Sequence, residues 1–276
     1  MRAALLQITS SDCPRENLDL IQRLIAEAVE NGAGFVLTPE VSNCVSLSRA
    51  HQQEVLCLEE DDPTLAALCA SAAEHKIWLS LGSFAVKTHD GDGRFANRQF
   101  LISPQGEITA RYDKIHMFDV EVTPEETFRE SDGYRPGSRA VTAETPFGTL
   151  GLTICYDLRF AYLHRALAQA GAEILIAPAA FSPVTGAAHW HALLQARAIE
   201  TGCYVLAAAQ TGTHQTSRGA VRKTYGHSLV VAPWGEILSD AGTAVGISYV
   251  DLDRGKVAEA RRRVPALTHD REFNGP

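Results

Sequence analysis

No segment of this sequence approaches the roughly eighteen consecutive apolar residues that a membrane-spanning helix requires. The opening Met1-Arg2-Ala3-Ala4-Leu5-Leu6-Gln7-Ile8 is too short an apolar run for a secretory leader. The six cysteines, at positions 13, 44, 57, 69, 155 and 203, include no CxxC pair. That scatter supports neither a disulfide framework nor a zinc site and suits a reducing compartment, so a soluble cytoplasmic protein is expected. Positive charge is also short: 25 Lys and Arg face 33 Asp and Glu, for a formal net charge of -8. Nucleic acid and anionic membranes are therefore poor candidates for the main partner. The one basic run, Arg261-Arg262-Arg263, reads as a solvated helix face. No Pro/Gly/Ser-rich linker interrupts the chain, and one domain over residues 1–276 is expected.

What is present is an alternation of short apolar runs and amphipathic stretches. Ala3 to Ile8 reads as a strand, and Asn17 to Glu30 as a helix with Leu18, Ile21, Leu24, Ile25 and Ala28 on one stripe. Gly34-Phe35-Val36-Leu37 is a strand apolar on both faces that runs into Thr38-Pro39-Glu40. Pro63 to Glu74 (helix), Ile77 to Val86 (strand) and a hairpin over 97–112 follow. The polar stretch from Glu121 to Arg139 reads as a long loop, of a length that is usually functional or disordered. A second hairpin over 140–154 ends at Cys155. Helices over 162–170 and 187–201 follow, with strands over 173–177, 204–209, 225–231 and 244–251. Phe35 to Glu40 and Ile174 to Ala179 occupy matching places, an internal echo of two α/β halves with mixed sheets and helices outside.

Three side chains stand at or just beyond strand ends: Glu40, Lys114 and Cys155. An isolated cysteine is more often a core thiol, and an isolated acid a cap or surface group. Together the three supply acyl transfer without histidine. A thiol of ordinary pKa needs a base or a nearby cation. A buried carboxylate accepts its proton. An ammonium steadies the oxyanion that follows attack, and the Tyr156 N–H on the turn after the nucleophile is a second donor to it. Competing motifs are weaker. His189 and His191 flank Trp190 with no carboxylate or cysteine at ligand spacing, so no metal site is expected. Gly91-x-Gly93 lacks the third glycine of a dinucleotide loop.

The segments Leu37-Thr38-Pro39-Glu40, Tyr112-Asp113-Lys114-Ile115-His116-Met117-Phe118-Asp119 and Gly151-Leu152-Thr153-Ile154-Cys155-Tyr156-Asp157-Leu158-Arg159-Phe160 resemble, in order, the catalytic motifs of the nitrilase (carbon–nitrogen hydrolase) superfamily. Ala180 to Gly186, His189-Trp190, Ala196 to Glu200 and Tyr225 to Ser228 are most similar to its Nit branch, which includes amidases of deaminated glutathione. The resemblance implies a four-layer α-β-β-α sandwich and a cysteine-dependent amidase that turns a small amide into a carboxylate and ammonia through an acyl-thioester. It implies no cofactor, and it implies a homodimer formed through helices beside the nucleophile strand. Glu40 would be the base, Cys155 the nucleophile, Lys114 the oxyanion cation and Glu130 a second glutamate orienting the lysine. Arg159, Phe181 and Thr185 would line the acyl pocket with Tyr156. Ala161-Tyr162 departs from the acidic residue that close relatives carry near this point. An ω-amidase of small α-keto-amides is the alternative substrate reading; a non-catalytic interaction protein on the same fold is the alternative of another class.

Overall fold

Alternation along the first strand, Arg2–Gln7, decides the layering of the molecule. Ala3 and Leu5 face one way, Ala4 and Leu6 the other, and all four are fully buried. A strand covered on both faces must lie inside a layered structure. Ala4 and Leu6 join Val36, Leu79 and Leu81 against Ile21, Ile25 and Leu68, from helices Pro14–Glu30 and Pro63–His75. Ala3, Leu5, Phe35 and Leu37 instead meet Leu150, Leu152, Ile174 and Ile176 of a second sheet. Beyond that sheet lie helices Ala161–Gln169 and Pro183–Thr201, which contribute Leu163, Leu167, Trp190 and Leu194 to the same core. The result, seen in a computed structural model that describes residues 1–124 and 126–275, is an α-β-β-α sandwich.

The first sheet runs Gly246–Asp251, Arg2–Gln7, Phe35–Leu37, Trp78–Val86, Ala96–Ile102, Ile108–Asp113. The second runs Val141–Thr145, Gly148–Leu152, Ile174–Ile176, Tyr204–Ala207, Leu229–Val231, Ile237–Asp240. Each has three parallel strands in the middle, one antiparallel strand on one side and two on the other. The internal echo in the sequence is therefore a repeated sheet order. Phe147 bridges the layers, its ring centroid 4.8 Å from that of Phe35 and 6.2 Å from that of Trp78.

Several boundaries differ from the sequence reading. The stretch 121–139 is not structureless: Asp119–Thr123 and Glu126–Arg129 pair as an antiparallel ribbon, followed by a short turn, Glu130–Asp132. The expected strand over 225–231 is two strands. Lys223–Tyr225 pairs with Thr211–Thr213 in a separate ribbon, and Leu229–Val231 lies in the main sheet. The break falls at Gly226 and His227, both at positive φ (79° and 57°), where an extended strand cannot continue. Helix Pro183–Thr201 starts a turn earlier than expected, since proline suits the first helical position. The helix Arg49–Val55, capped by the Ser48 side chain, was not anticipated.

The strand ends that carry the site are pressed together. A Cβ on Gly82 would lie 1.9 Å from the Thr38 carbonyl oxygen, 2.6 Å from that of Pro39 and 2.6 Å from Pro178 Cβ of the second sheet. Backbone cannot yield to it, so Gly82→Ala is expected to cost about 3 kcal/mol or more, as for severe overpacking. Thermal or urea unfolding checks this; a variant as stable as the parent would refute the close approach.

Candidate active site

The nucleophile corner is built by hydrogen bonds that outlast the strand. Gly148–Leu152 pairs with Ile174–Ile176, and the register continues as Thr153 N–H donates to Ile176 O at 3.0 Å and Cys155 N–H to Pro178 O at 2.9 Å. Cys155 then turns sharply, at φ 51°, into the short turn Cys155–Arg159. Left-handed backbone at a non-glycine residue costs about 1–3 kcal/mol and persists only where neighbours enforce it. The enforcing group is Asp157, which is fully buried. Its carboxylate accepts from Ile154 N–H at 2.9 Å, the Tyr112 hydroxyl at 2.6 Å, and His116 through N–H at 3.1 Å and Nδ1 at 2.7 Å. One carboxylate thus ties the nucleophile turn to the segment carrying Lys114. The N–H of Tyr156, near the start of that turn, has no acceptor within the turn itself.

Glu40, Lys114 and Cys155 converge as the sequence predicts, only 3%, 2% and 8% exposed. Lys114 Nζ donates to Glu40 Oε1 at 2.9 Å and to both oxygens of Glu130 at 2.9 Å. Glu130 is fixed in turn by the Phe118 N–H, at 2.6 Å. The second Glu40 oxygen accepts from Ala180 N–H at 2.9 Å. Asn97, which sequence reasoning missed, donates to Glu40 Oε1 at 2.9 Å. Its Oδ1 is buried without a partner among the described residues, an acceptor left at the cavity wall.

The protonation states follow from these contacts. Burial alone would raise the Glu40 carboxyl, but Lys114, Arg222 and hydrogen bonds from Cys155 and Lys114 outweigh it and hold it below its ordinary 4.5. Burial, then the charge of Glu40, push the Cys155 thiol well above its ordinary 9.0 against the pull of Lys114. Burial would lower the Lys114 ammonium, yet Glu130 and Glu40 raise it well above 10.5. At neutral pH the site is a thiol beside a carboxylate beside an ammonium.

A cavity of about 230 Å³, open at its mouth, lies over Cys155. Phe118, Phe128 and Leu47 give it apolar walls, while Arg129 and Arg222 add positive charge. Tyr156, Phe181 and Thr185 line it as expected. Arg159 differs: it stands behind the wall, 5.9 Å from the Tyr156 ring and 5.7 Å from that of Phe181, with its guanidinium 3.3 Å from His189 Nδ1. The guanidinium groups lining the cavity are instead those of Arg129 and Arg222; Arg222 NH2 donates to Ala180 O at 2.8 Å. It lies on a polar return loop, and nothing in its sequence neighbourhood marks it. Tyr162, at the departure from the resembled motif, is 66% exposed and its hydroxyl meets His116 Nε2.

Residues 2–262 match one family, carbon–nitrogen hydrolase. The chain belongs to that family. It is 40% identical over 273 residues to the deaminated glutathione amidase of Yersinia enterocolitica, a match covering 97% of this chain and 92% of that one. The C. elegans NitFhit protein superposes with a TM-score of 0.90 at 35% identity over 98% of this chain, which spans 65% of NitFhit. A glutamate-to-leucine mutant of the amidase from Nesterenkonia sp. AN1 superposes with a TM-score of 0.76 at 28% identity, over 95% of this chain and 94% of that one. It carries the acetamide moiety of fluoroacetamide added covalently at its active-site cysteine. This carbon–nitrogen hydrolase thus brings three separately read motifs, at 40, 114 and 155, to one cavity.

The depressed Glu40 pKa has a consequence for stability. A carboxyl group that protonates at lower pH folded than unfolded leaves the unfolded chain binding more protons near 4.5, so stability rises with pH there. The contribution is present above the unfolded value and lost as pH falls through the folded one. Glu40→Gln is expected to flatten the acid limb of stability by up to about 1.4 kcal/mol per pH unit, read from urea unfolding between about pH 3 and 6. An unchanged slope would assign that limb to other carboxylates.

Proposed function

We propose that Cys155, Glu40, Lys114 and Glu130 perform amide hydrolysis through an acyl-thioester, and that the substrate is deaminated glutathione. The observation that carries the mechanism is the meeting of a carboxylate, an ammonium and a thiol at one buried corner: Lys114 Nζ lies 2.9 Å from Glu40 Oε1, and both line the cavity with Cys155. As Cys155 Sγ bonds to the amide carbon, Glu40 takes the thiol proton. The oxyanion forms between Lys114 and the Tyr156 N–H. Lys114 enters this step with its N–H groups directed at two carboxylates. Proton uptake neutralises Glu40, weakens its hold on the ammonium and frees positive charge as negative charge develops on the substrate. Protonated Glu40 then gives its proton to the departing nitrogen as the C–N bond breaks. Water, losing a proton to Glu40, attacks the thioester carbon; the acid departs and the thiol is restored. Glu130 holds Lys114 in place through both steps.

The substrate reading is supported by the likeness to deaminated glutathione amidases and by Arg129 and Arg222 at the cavity. A substrate with carboxylates at both ends suits arginines set in the cavity wall. In deaminated glutathione the bond cleaved links the keto acid to cysteinylglycine, so the nitrogen that leaves is the dipeptide's amine. This corrects the expectation of ammonia, which would be the product only from a primary amide. The homodimer belongs to the same reading. The exposed face of helix Pro183–Thr201 carries Val184, Ala187, Ala188, Ala192 and Ile199, with His189 as its polar member. A cytoplasmic site of action accords with six free cysteines.

Release of cysteinylglycine from deaminated glutathione, measured beside release of ammonia from α-ketoglutaramate, tests the assignment. The expected outcome is a higher kcat/KM for the tripeptide analogue and loss of both activities, with the fold intact, in Cys155→Ala. Arg222→Ala should raise KM more than it lowers kcat, by about tenfold for one charge-assisted contact. Preference for the small keto-amide would replace the substrate assignment by an ω-amidase, and turnover surviving in Cys155→Ala would sink the mechanism.

A further inference from the structure

The sequence leaves His191 without an acidic partner, and the fold supplies one. His191 lies on helix Pro183–Thr201, His227 at the positive-φ corner before Leu229–Val231, and Asp240 at the end of the edge strand Ile237–Asp240. Their ligand-type atoms all lie within 4.8 Å of one another. His191 Nε2 is 2.9 Å from Asp240 Oδ2, and His227 Nδ1 is 2.8 Å from Oδ1 and 3.1 Å from Oδ2. We propose that these three residues form a binding site for a divalent transition-metal ion of the zinc or nickel type, separate from the hydrolase cavity.

The donor set selects the ion. Two imidazoles and a carboxylate suit borderline metals, whereas calcium and magnesium favour all-oxygen cages. Bonds of about 2.0–2.2 Å require donor atoms about 3.3 Å apart. The His–carboxylate spacings of 2.8 to 3.1 Å fall a few tenths of an ångström short of that figure and the whole set lies within 4.8 Å, so small side-chain rotations suffice. Each neutral ring can carry its proton on the far nitrogen, His191 Nδ1 and His227 Nε2, leaving the facing nitrogen to coordinate. The half-exposed position leaves an open side for water.

The three ligands are also held in place before any ion arrives. Trp190, beside His191 in sequence, donates Nε1–H to His227 O at 2.8 Å. His227 N–H donates to Gly242 O at 2.6 Å, and Gly242 N–H to Asp240 Oδ1 at 2.9 Å. The Tyr225 ring stacks on His227, centroids 4.5 Å apart. The His227 backbone sits at φ 57°, a conformation a non-glycine residue keeps only under such constraint. A bound ion would clamp the outer helix to the edge of the second sheet.

Untagged full-length protein carrying Cys155→Ser, so that the active-site thiol does not compete, is stripped with chelator and titrated with Zn²⁺ by calorimetry. Co²⁺ in place of Zn²⁺ reports ligand type in its visible spectrum. The expected result is one ion per chain, a nitrogen–oxygen spectrum without thiolate charge transfer, and a rise in Tm with metal. His191→Gln and Asp240→Asn, both near the surface, should each weaken binding by roughly tenfold or more, since even outer-shell partners are worth that much. Absence of binding in the stripped protein, a thiolate spectrum, or affinity unchanged in both variants would overturn the site.

Discussion

An ammonium buried to 2% exposure is the constraint on which the rest of this molecule depends. Removing such a charge from water costs several kcal/mol unless partners compensate it, and removing one partner of a buried pair is among the most damaging changes a protein can suffer. Lys114 has two such partners, and they come from separate parts of the chain. Glu40 follows a central strand of the first sheet, and Glu130 follows the ribbon Glu126–Arg129. Two carboxylates against one ammonium leave a local negative excess, which Arg222 offsets from the return loop. The charge cluster therefore requires sheet, ribbon and loop to arrive together. Burial first, and the charge of Glu40 second, keep the Cys155 proton on sulfur, so the resting site holds a thiol rather than a free thiolate. A reactive thiolate is what oxidants and adventitious electrophiles attack, and a thiol that keeps its proton is protected from them.

Asp157 does for geometry what Lys114 does for charge. Its four donors come from the nucleophile corner, from an edge strand of the first sheet, and from the segment after Lys114. The tyrosine contact crosses from one sheet to the other. Glu40, Lys114 and Cys155 are thereby held in one frame, the kind of fixed arrangement that pre-organised electrostatic stabilisation requires.

Much of this was legible in the sequence because the functional groups sit at strand ends, and buried strands announce themselves as short apolar runs. Phe35 to Leu37 pointed to Glu40, and Leu150 to Ile154 pointed to Cys155, before any contact was known. What was illegible is equally specific. Among the described residues the ribbon over 119–129 packs into neither main core; its alternation is brief, Val120 and Val122 between Asp119, Glu121 and Thr123, and lies in a polar stretch that reads as loop. Arg222 and Asn97 reach the site through tertiary placement alone. Arg159, which the resemblance places in the acyl pocket, lies instead beside the rings of Tyr156 and Phe181 and outside the cavity lining. A matched position along the chain does not reveal which side of a ring a long side chain takes. The carboxylate that meets His191 and His227 is 49 residues from the former, far beyond the reach of any local motif.

The repeated sheet order explains why base and nucleophile come from opposite halves. In each sheet a central parallel strand ends at a proline-containing segment, Thr38-Pro39-Glu40 in the first and Ala177-Pro178-Ala179 in the second. Face-to-face packing brings these segments within contact, with Gly82 as the residue that lets them approach. A functional group beyond the carboxyl end of a strand has open space in front of it and a fixed backbone behind. When two such sheets stack with their strand ends aligned, the ends of one half line a cleft with the ends of the other. One half then needs only a carboxylate and the other only a thiol. Neither half alone holds a base, a cation and a nucleophile, so the cavity, and with it the chemistry, is a property of the packing between the sheets.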